Sequence, residues 1–425
     1  MSAREPRRLS ALVVNHDSGA FALRCVESLA AEWARAGRPR DDLELVVFDS
    51  GSGPGEETWW RSLRRAGARV ITSAANVGYA AGIARAWEAT SGAPDDAVAI
   101  LNADLCFLSG SLEPLLEHLA RDPLCGAAAP RAYVDAERQI RLPRIPLPGP
   151  RQELGEALAR LWPRRARARA ALRFSRSLEW WQHEGVLEAD MLSGACLFLR
   201  REVAAALARE LGRGGPLDRR FPLYYEDADL CRRITARGLR LAQVADSEIV
   251  HHWSRSAGCG ADFARGPARK QERSRRAYLA KHHGPLAAGA CSLVRRCADR
   301  RAAARGELAL HPCEALGELA EPPLLHLPRL ARFALEIALT PGFGLVAGVL
   351  GEGAELRLSF GSWSWLFPAT YHARALDRGT GELLGAWSFT KTTPARSWPL
   401  DPAEIGAPAA AAPRPAAFRA RGRAG

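Results

Sequence analysis

The sequence predicts an α/β protein built on a mostly parallel sheet, on three observations. Apolar, β-rich runs recur through residues 9–120, each gives way to a polar or glycine-bearing turn and a helical pattern, and polar residues stand where each run ends. With 425 residues the chain has room for two or three units of ordinary domain size. A content of 47% hydrophobic and 25% charged residues is globular usage, not that of a largely disordered chain.

Taken in order, the strand-like runs are 9–14, 43–48, 69–72 and 97–101, and helical patterns lie near 21–35, 56–66, 80–90 and 111–121. Residues 135–185 are rich in proline and arginine and lack strand periodicity, which reads as an insertion or mobile flap. A second α/β stretch follows, with 188–199 containing Ser193-Gly194-Ala195, a helix near 201–211, the segment 221–238, a strand at 239–244 and the run 249–253. Residues 262–305 read as helical and strongly basic. The apolar run 333–350 carries Glu336, Pro341 and several glycines, so it suits a core or interfacial segment better than a span of ~20 residues. Residues 371–376 and 383–389, joined by a glycine-bearing turn, read as a β-hairpin. The Ala-, Pro- and Arg-rich end of the chain reads as disordered.

Parallel sheets bind ligands in the crevice outside the carboxyl ends of their strands. The residues delivered there are Asn15, Asp49, Asn76, Asn102 and Asp104. Asn102 and Asp104 could hold a hard divalent cation completed by substrate phosphates, or could simply suit a turn. Asp49 opens a glycine-bearing turn that lets a ligand approach the backbone. That turn follows the second run rather than the first and is not G-x-G-x-x-G, which argues against hydride transfer. Asn76 and Gly78 precede a helix start, where a cap and an anion site look alike.

The segment 221–238 places Glu226, Asp227 and Asp229 at a helix start, more acids than a helix terminus needs, so Glu226 and Asp227 are candidates for general base work. Asp229 and Arg233, at i and i+4, could be no more than a surface ion pair. His251 and His252 end a strand-like run, so only one of them can face the site.

The chain carries 59 Lys+Arg against 47 Asp+Glu, a formal net charge of +12. The excess is local: residues 141–180 hold ten arginines against three glutamates, and 261–305 hold twelve basic residues against three acids. Such windows suit an anionic membrane surface or nucleic acid. Nine scattered cysteines without a C-x-x-C pair point to a reduced chain without disulfides or a structural zinc. The short apolar stretch near the N-terminus is no secretory leader, so a cytoplasmic location is expected.

The segments ALVVNHDS, ELVVFDSGSG, NVGYAAGIARAW, ILNADLCF, DMLSGACLFLRREV, FPLYYEDADLCRRITARG and IVHHWSRS resemble, in order and spacing, the bacterial family 2 glycosyltransferases, most closely their rhamnosyltransferase-like branch. The resemblance covers about residues 8–285. It implies a GT-A fold (Rossmann-like, mostly parallel sheet) and inverting transfer of a sugar, such as the deoxyhexose rhamnose, from a nucleotide-diphosphate donor. The acceptor would be a saccharide or lipid-linked molecule in surface polysaccharide synthesis. By position, Asn15 and Asp49 would hold the nucleoside, and Asn76, Gly78 and Asn102 would line the rest of the donor site. Gly194 and Ala195 would meet the acceptor, and Asp104 with His251 would serve a divalent metal, Mg²⁺ or Mn²⁺. Asp227 would be the base and Glu226 would orient acceptor or sugar. Asn-Ala-Asp stands where many relatives have two acids, which leaves the metal chiefly to Asp104.

The organisation expected is a catalytic unit over 1–285, a basic helical linker region over 286–340, a small β-rich accessory region with an unassigned role over 341–400, and a disordered tail over 401–425. Trp363, Trp365 and Trp387 in the accessory region could stack on sugars or form a small core. The expected location is cytoplasmic with peripheral contact on the inner face of the membrane, and no nucleic-acid partner is expected. The rival class is a basic binding protein for nucleic acid or acidic glycan with a catalytically silent core.

Overall fold

In a computed structural model, residues 6–212, 214–221, 224–252, 267–305 and 308–395 are described. The N-terminal half alternates β1 (Leu9–Asn15), α1 (Gly19–Arg35), β2 (Leu43–Ser50), α2 (Glu57–Arg65), β3 (Arg69–Ser73), α3 (Tyr79–Glu88) and β4 (Ala97–Asn102). These strands lie parallel in the order β3-β2-β1-β4. Successive residues of β1 and β2, such as Leu12 with Val13 and Val46 with Val47, are buried alike because helices cover both faces. The chain winds one way from β1 to β3 and the other way to β4, so the crevice opens where β1 ends.

The sheet continues through β5 (Leu105–Phe107), α4 (Leu112–Arg121), β6 (Cys125–Tyr133), α5 (Pro150–Leu161), α6 (Pro163–Gln182), β7 (Val186–Glu188), β8 (Cys196–Arg200), α7 (Arg201–Leu211), α8 (Glu226–Thr235) and β9 (Arg240–His251). Here the pairing is mixed: β8 runs antiparallel to β4 and β6, β9 runs parallel to β6, and β5 and β7 run antiparallel to β9. This is the GT-A sheet that the resemblance implies. The strand at 239–244 and the run after it are one strand, β9, whose register shifts opposite Pro130 and Arg131. Trp253 lies outside the described residues.

Two segments differ from their reading in the sequence. Within 135–185, the stretch read as an insertion or mobile flap, residues 150–182 form the two helices α5 and α6, with Ala157, Ala166, Ala170, Phe174, Leu178 and Trp181 turned inward. Over α5 and the first half of α6 the buried apolar residues are alanines, and the outward arginines mask the helical period there. After α9 (Pro267–Arg305), which turns at Gly284 (φ 85°) so that Arg275 reaches Ser292 at 3.1 Å, the chain enters a second sheet well before residue 341. That sheet comprises β10 (Glu314–Leu319), β11 (Leu325–Ala338), β12 (Ala347–Leu356), α10 (Phe360–Trp365), β13 (Ala369–Asp377) and β14 (Leu383–Lys391), in the order β10-β14-β13-β11-β12. The expected hairpin is β13–β14, and the apolar run 333–350 supplies parts of β11 and β12. The start of β11 buries Leu325, Leu327 and Ala331 and leaves His326 and Arg329 exposed, so these basic residues lie on a strand rather than on a helix.

The second sheet packs on the first unit. Arg141 and Gly348 exchange backbone hydrogen bonds of 2.8 and 3.0 Å, and the Trp181 ring lies flat against Gly348. Within the sheet, Glu336 and Arg374, both buried, form a two-pronged ion pair. Trp363, Trp365 and Trp387 are buried in its core, so they are not a sugar-stacking surface. The eight described cysteines are free thiols, and among the described residues no helix is long and apolar enough to cross a membrane. The tail over 401–425 lies outside the described residues.

A Cβ on residue 348 would stand 2.6 Å from the Trp181 ring. Gly348→Val is therefore expected to cost about 1–3 kcal/mol, as overpacking of an interior does. Urea denaturation monitored by Trp fluorescence checks this, and a midpoint equal to that of the wild type would contradict the packing.

Candidate functional site

The end of β2 is stitched to the start of α3. Gly51 has φ 69°, and a Cβ there would lie 2.4 Å from the backbone of Ala75 and Asn76, so glycine alone lets the two segments touch. Ser50 Oγ accepts from the Val77 N–H at 3.0 Å, and Asn76 Oδ1 accepts from the Gly78 N–H at 2.9 Å. Gly78 then opens α3 with φ 83°.

Asp49 is fully buried and already surrounded by donors. Its Oδ1 accepts from the Ser52 N–H at 3.1 Å, and its Oδ2 accepts from Asn15 Nδ2 at 2.7 Å, Ser52 Oγ at 2.7 Å and Trp60 Nε1 at 3.0 Å. Asp49 thus shapes the crevice by fixing Asn15, the turn and Trp60. Asn15 Nδ2 also donates to Glu56 Oε2 at 3.0 Å. Burial pushes the Glu56 pKa up, opposed by the Asn15 hydrogen bond. Glu56 and Trp60 were not found from the sequence because they come from α2 and the loop before it, not from a strand end.

At the other edge β4 delivers Asn102 and the following turn delivers Asp104, while β9 delivers His251. His251 Nε2 lies 3.3 Å from Asp104 Oδ1 and 3.5 Å from Asn102 Nδ2. Burial alone would push the Asp104 pKa up, but the adjoining His251, with a lesser contribution from His252, holds it below the ordinary value. His252 is turned away: its N–H donates to the Asp104 carbonyl at 3.0 Å, and its ring stacks on Trp365 of α10 at 4.0 Å. One carboxylate oxygen and one imidazole nitrogen converge, a donor set that suits Mg²⁺ or Mn²⁺ when phosphate and water complete the shell. Among the described residues no third carboxylate, thiol or imidazole joins them.

The acid pair lies at the start of α8, after two consecutive non-glycine residues in left-handed backbone, Tyr224 (φ 61°) and Tyr225 (φ 69°). Strain of this kind persists where surrounding structure enforces it. Asp227 Oδ2 accepts from the Gly194 N–H at 3.1 Å, and its Oδ1 accepts from the Ala228 N–H at 2.8 Å. A Cβ on residue 194 would meet Asp227 Cβ at 2.8 Å, so this approach also requires glycine. The next residue, Ala195, accepts the Asn102 N–H at 2.8 Å. The 194–195 turn therefore joins the acid pair to the Asn102–Asp104 edge. Tyr79 OH donates to the Gly194 carbonyl at 3.3 Å. Burial, then the charges of Glu226, Asp227 and, more weakly, Asp104, push the Tyr79 phenol well up.

Glu226 is buried, and its Oε2 has no partner among the described residues. Burial, reinforced by the Asp227 charge, pushes its pKa up to about 8; burial also raises that of Asp227. Two residues on, Asp229 is the reverse case, and it is no surface pair: it is fully inaccessible, with Arg233 Nε at 2.8 Å and His282 Nε2 at 2.7 Å, and Lys281 also bound. Burial raises the Asp229 pKa, but these partners bring it below its usual value.

Residues 10–176 match the model of glycosyl transferase family 2. These residues form a family 2 glycosyltransferase domain. Over 255 residues the chain is 28% identical to an N-acetylglucosaminyl-diphospho-decaprenol L-rhamnosyltransferase of Mycobacterium tuberculosis, spanning 57% of this chain and 72% of that relative. Among solved structures it is similar to the mannosyltransferase PcManGT from Pyrobaculum calidifontis in complex with GDP-Man and Mn²⁺, at 19% identity over 71% of this chain and 77% of that one, with a TM-score of 0.37. It is also similar to S. aureus TarS 1-349, at 12% identity over 70% of this chain and 92% of that one, with a TM-score of 0.38. The family 2 domain supplies Asn15, Asp49, Asn76, Gly78, Asn102 and Asp104. Glu226, Asp227 and His251 join it from beyond residue 176.

A raised carboxyl in the folded state makes stability pH-dependent. Below pH ~4.5 Glu226 is protonated in both states and its contribution is fully present; as pH rises towards 8 the unfolded chain ionises first and that stability is lost. Glu226→Gln should therefore gain stability relative to the wild type between pH 5 and ~8. Thermal midpoints of the two proteins across that range test it, and parallel curves would contradict the burial.

Proposed function

We propose that this chain is an inverting glycosyltransferase that moves a sugar from a nucleotide-diphosphate donor to a saccharide or lipid-linked acceptor in surface polysaccharide synthesis. The observation that carries the reading is the 194–195 turn, which hydrogen-bonds the Asp227 carboxylate on one side and Asn102 on the other. It joins a candidate base to a candidate diphosphate edge. A deoxyhexose such as rhamnose is the donor sugar that the mycobacterial relative's name suggests, and that name also suggests a lipid-linked acceptor.

In this reading Asn15 and the Asp49 turn hold the nucleoside, and Asn76 with Gly78 presents the start of α3 to the diphosphate. Asp104 and His251 would hold Mg²⁺ or Mn²⁺, which when bound neutralises charge on the departing diphosphate. Each Asp227 oxygen accepts one backbone hydrogen bond and keeps lone pairs for an acceptor hydroxyl. As the hydroxyl oxygen attacks the anomeric carbon, its proton passes to Asp227. The bond to the diphosphate breaks on the opposite face, which inverts the configuration. Glu226 stays protonated through neutral pH and so can donate a hydrogen bond that orients acceptor or sugar. Gly194 and Ala195 wall the acceptor side. Residues 1–285 would hold the chemistry and the second sheet would buttress it from inside the cytoplasm.

Asp227→Asn is expected to lower transfer by about 10²–10⁴-fold, with nucleotide affinity nearly unchanged. A nucleotide-sugar panel with and without Mn²⁺, read by thermal shift and by transfer to acceptor, checks this. Turnover of the variant at the wild-type rate would sink the base assignment.

A further inference from the structure

The second half of α9 carries its apolar residues on the wrong side for a solvated helix. Ala288, Ser292 and Ala298 face inward, while Leu286 is 89% and Leu293 57% exposed. Ala290 and exposed Cys297 continue the same outward stripe at helical spacing. Next along this face stand exposed Arg296, Arg300 and Arg301, and among the described residues none of the three has a carboxylate partner. The one acid of this half, Asp299, is taken by Arg160 of α5 and approached by Arg295. Trp162, 48% exposed, follows Arg160 by two residues at the end of α5 and carries Arg165 over its ring.

We propose that this face is a docking surface for an anionic phospholipid bilayer. Leucine and tryptophan within a rim of arginine is the composition of a helix lying in a membrane interface. Charge chooses this occupant over the others. A symmetric contact with a second copy would set one arginine stripe against another. Residues 396–425, with five arginines against two acids, carry the same sign as the face. A nucleic acid would match the arginines but not the leucines.

The surface is continuous with the site. The hairpin turn at Gly284 links the stripe to Lys281 and His282, whose side chains grip Asp229 on α8, two residues beyond Asp227. Docking thus engages the same helical hairpin that supports α8 from within. The inference draws on surface composition alone and does not depend on the sugar-transfer reading, although a lipid-linked acceptor would give the surface a purpose.

The test is co-sedimentation of the full chain with vesicles of phosphatidylcholine alone or with added phosphatidylglycerol. The wild type should bind the anionic vesicles, lose binding as salt rises, and leave neutral vesicles largely unbound. Leu286→Glu with Leu293→Glu, and Arg296→Glu with Arg300→Glu, should each weaken binding by at least about tenfold. All four residues lie at the surface, so thermal midpoints and nucleotide-induced shifts should match the wild type, which keeps a failure of docking distinct from a failure of the donor site. Three outcomes would overturn the proposal: no binding to anionic vesicles at low salt, wild-type binding by the leucine variant, or wild-type self-association that the leucine variant abolishes. A chain ending at residue 395 should bind the vesicles as the full chain does, and loss of binding on that truncation would transfer the role to the tail.

Discussion

A carboxylate buried without a cation is costly, and Asp229 meets that constraint with Arg233 from its own helix and Lys281 and His282 from α9. The arrangement of the catalytic half follows from it. Lys281 also binds Asp218, so the loop before α8, α8 itself and the α9 hairpin share one ionic centre. With α8 pinned near its first turn, the left-handed Tyr224 and Tyr225 have no room to relax, and Glu226 and Asp227 are held against the 194–195 turn.

The same helix therefore shows two opposite treatments of a buried acid within one turn. Asp229 has cations and stays ionised; Glu226 and Asp227 have only backbone donors or nothing, and their proton affinities rise. Groups whose environments drive their proton affinities apart mark where proton transfer can be placed. At the other edge His251 offsets the burial of Asp104 and keeps an anion where a cation could sit. Gly194 and Ala195 join this anionic edge to the one where proton affinity is raised.

The first sheet was readable because strands buried on both faces leave unbroken Val, Leu and Ile runs, and because Asn15, Asp49 and Asn102 end them. Helix α5 and the first half of α6 were not, since Ala157, Ala166 and Ala170 bury a face without the large apolar residues that announce a period. The Asp229–Arg233 spacing suits a surface pair equally well; only the arrival of α9 from fifty residues downstream decides otherwise. Glu56, Trp60 and Tyr79 reach the crevice from a loop and from helices, where no strand-end pattern marks them. The close approaches that demand Gly51 and Gly194 are long-range facts, invisible in either local sequence.

The His252 ring lies between Phe21, at 5.5 Å, and Trp365, at 4.0 Å. Phe21 belongs to the first helix described, and Trp365 to the last one. Domains tend to fold as they emerge, N-terminal portion first. The first sheet can thus form long before the indole arrives, yet the residue that follows His251 is wedged from both sides only once the second sheet has been made. Until then the end of β9 would lack the Trp365 ring that stacks on it, so the second sheet completes an element whose strand partners lie in the first.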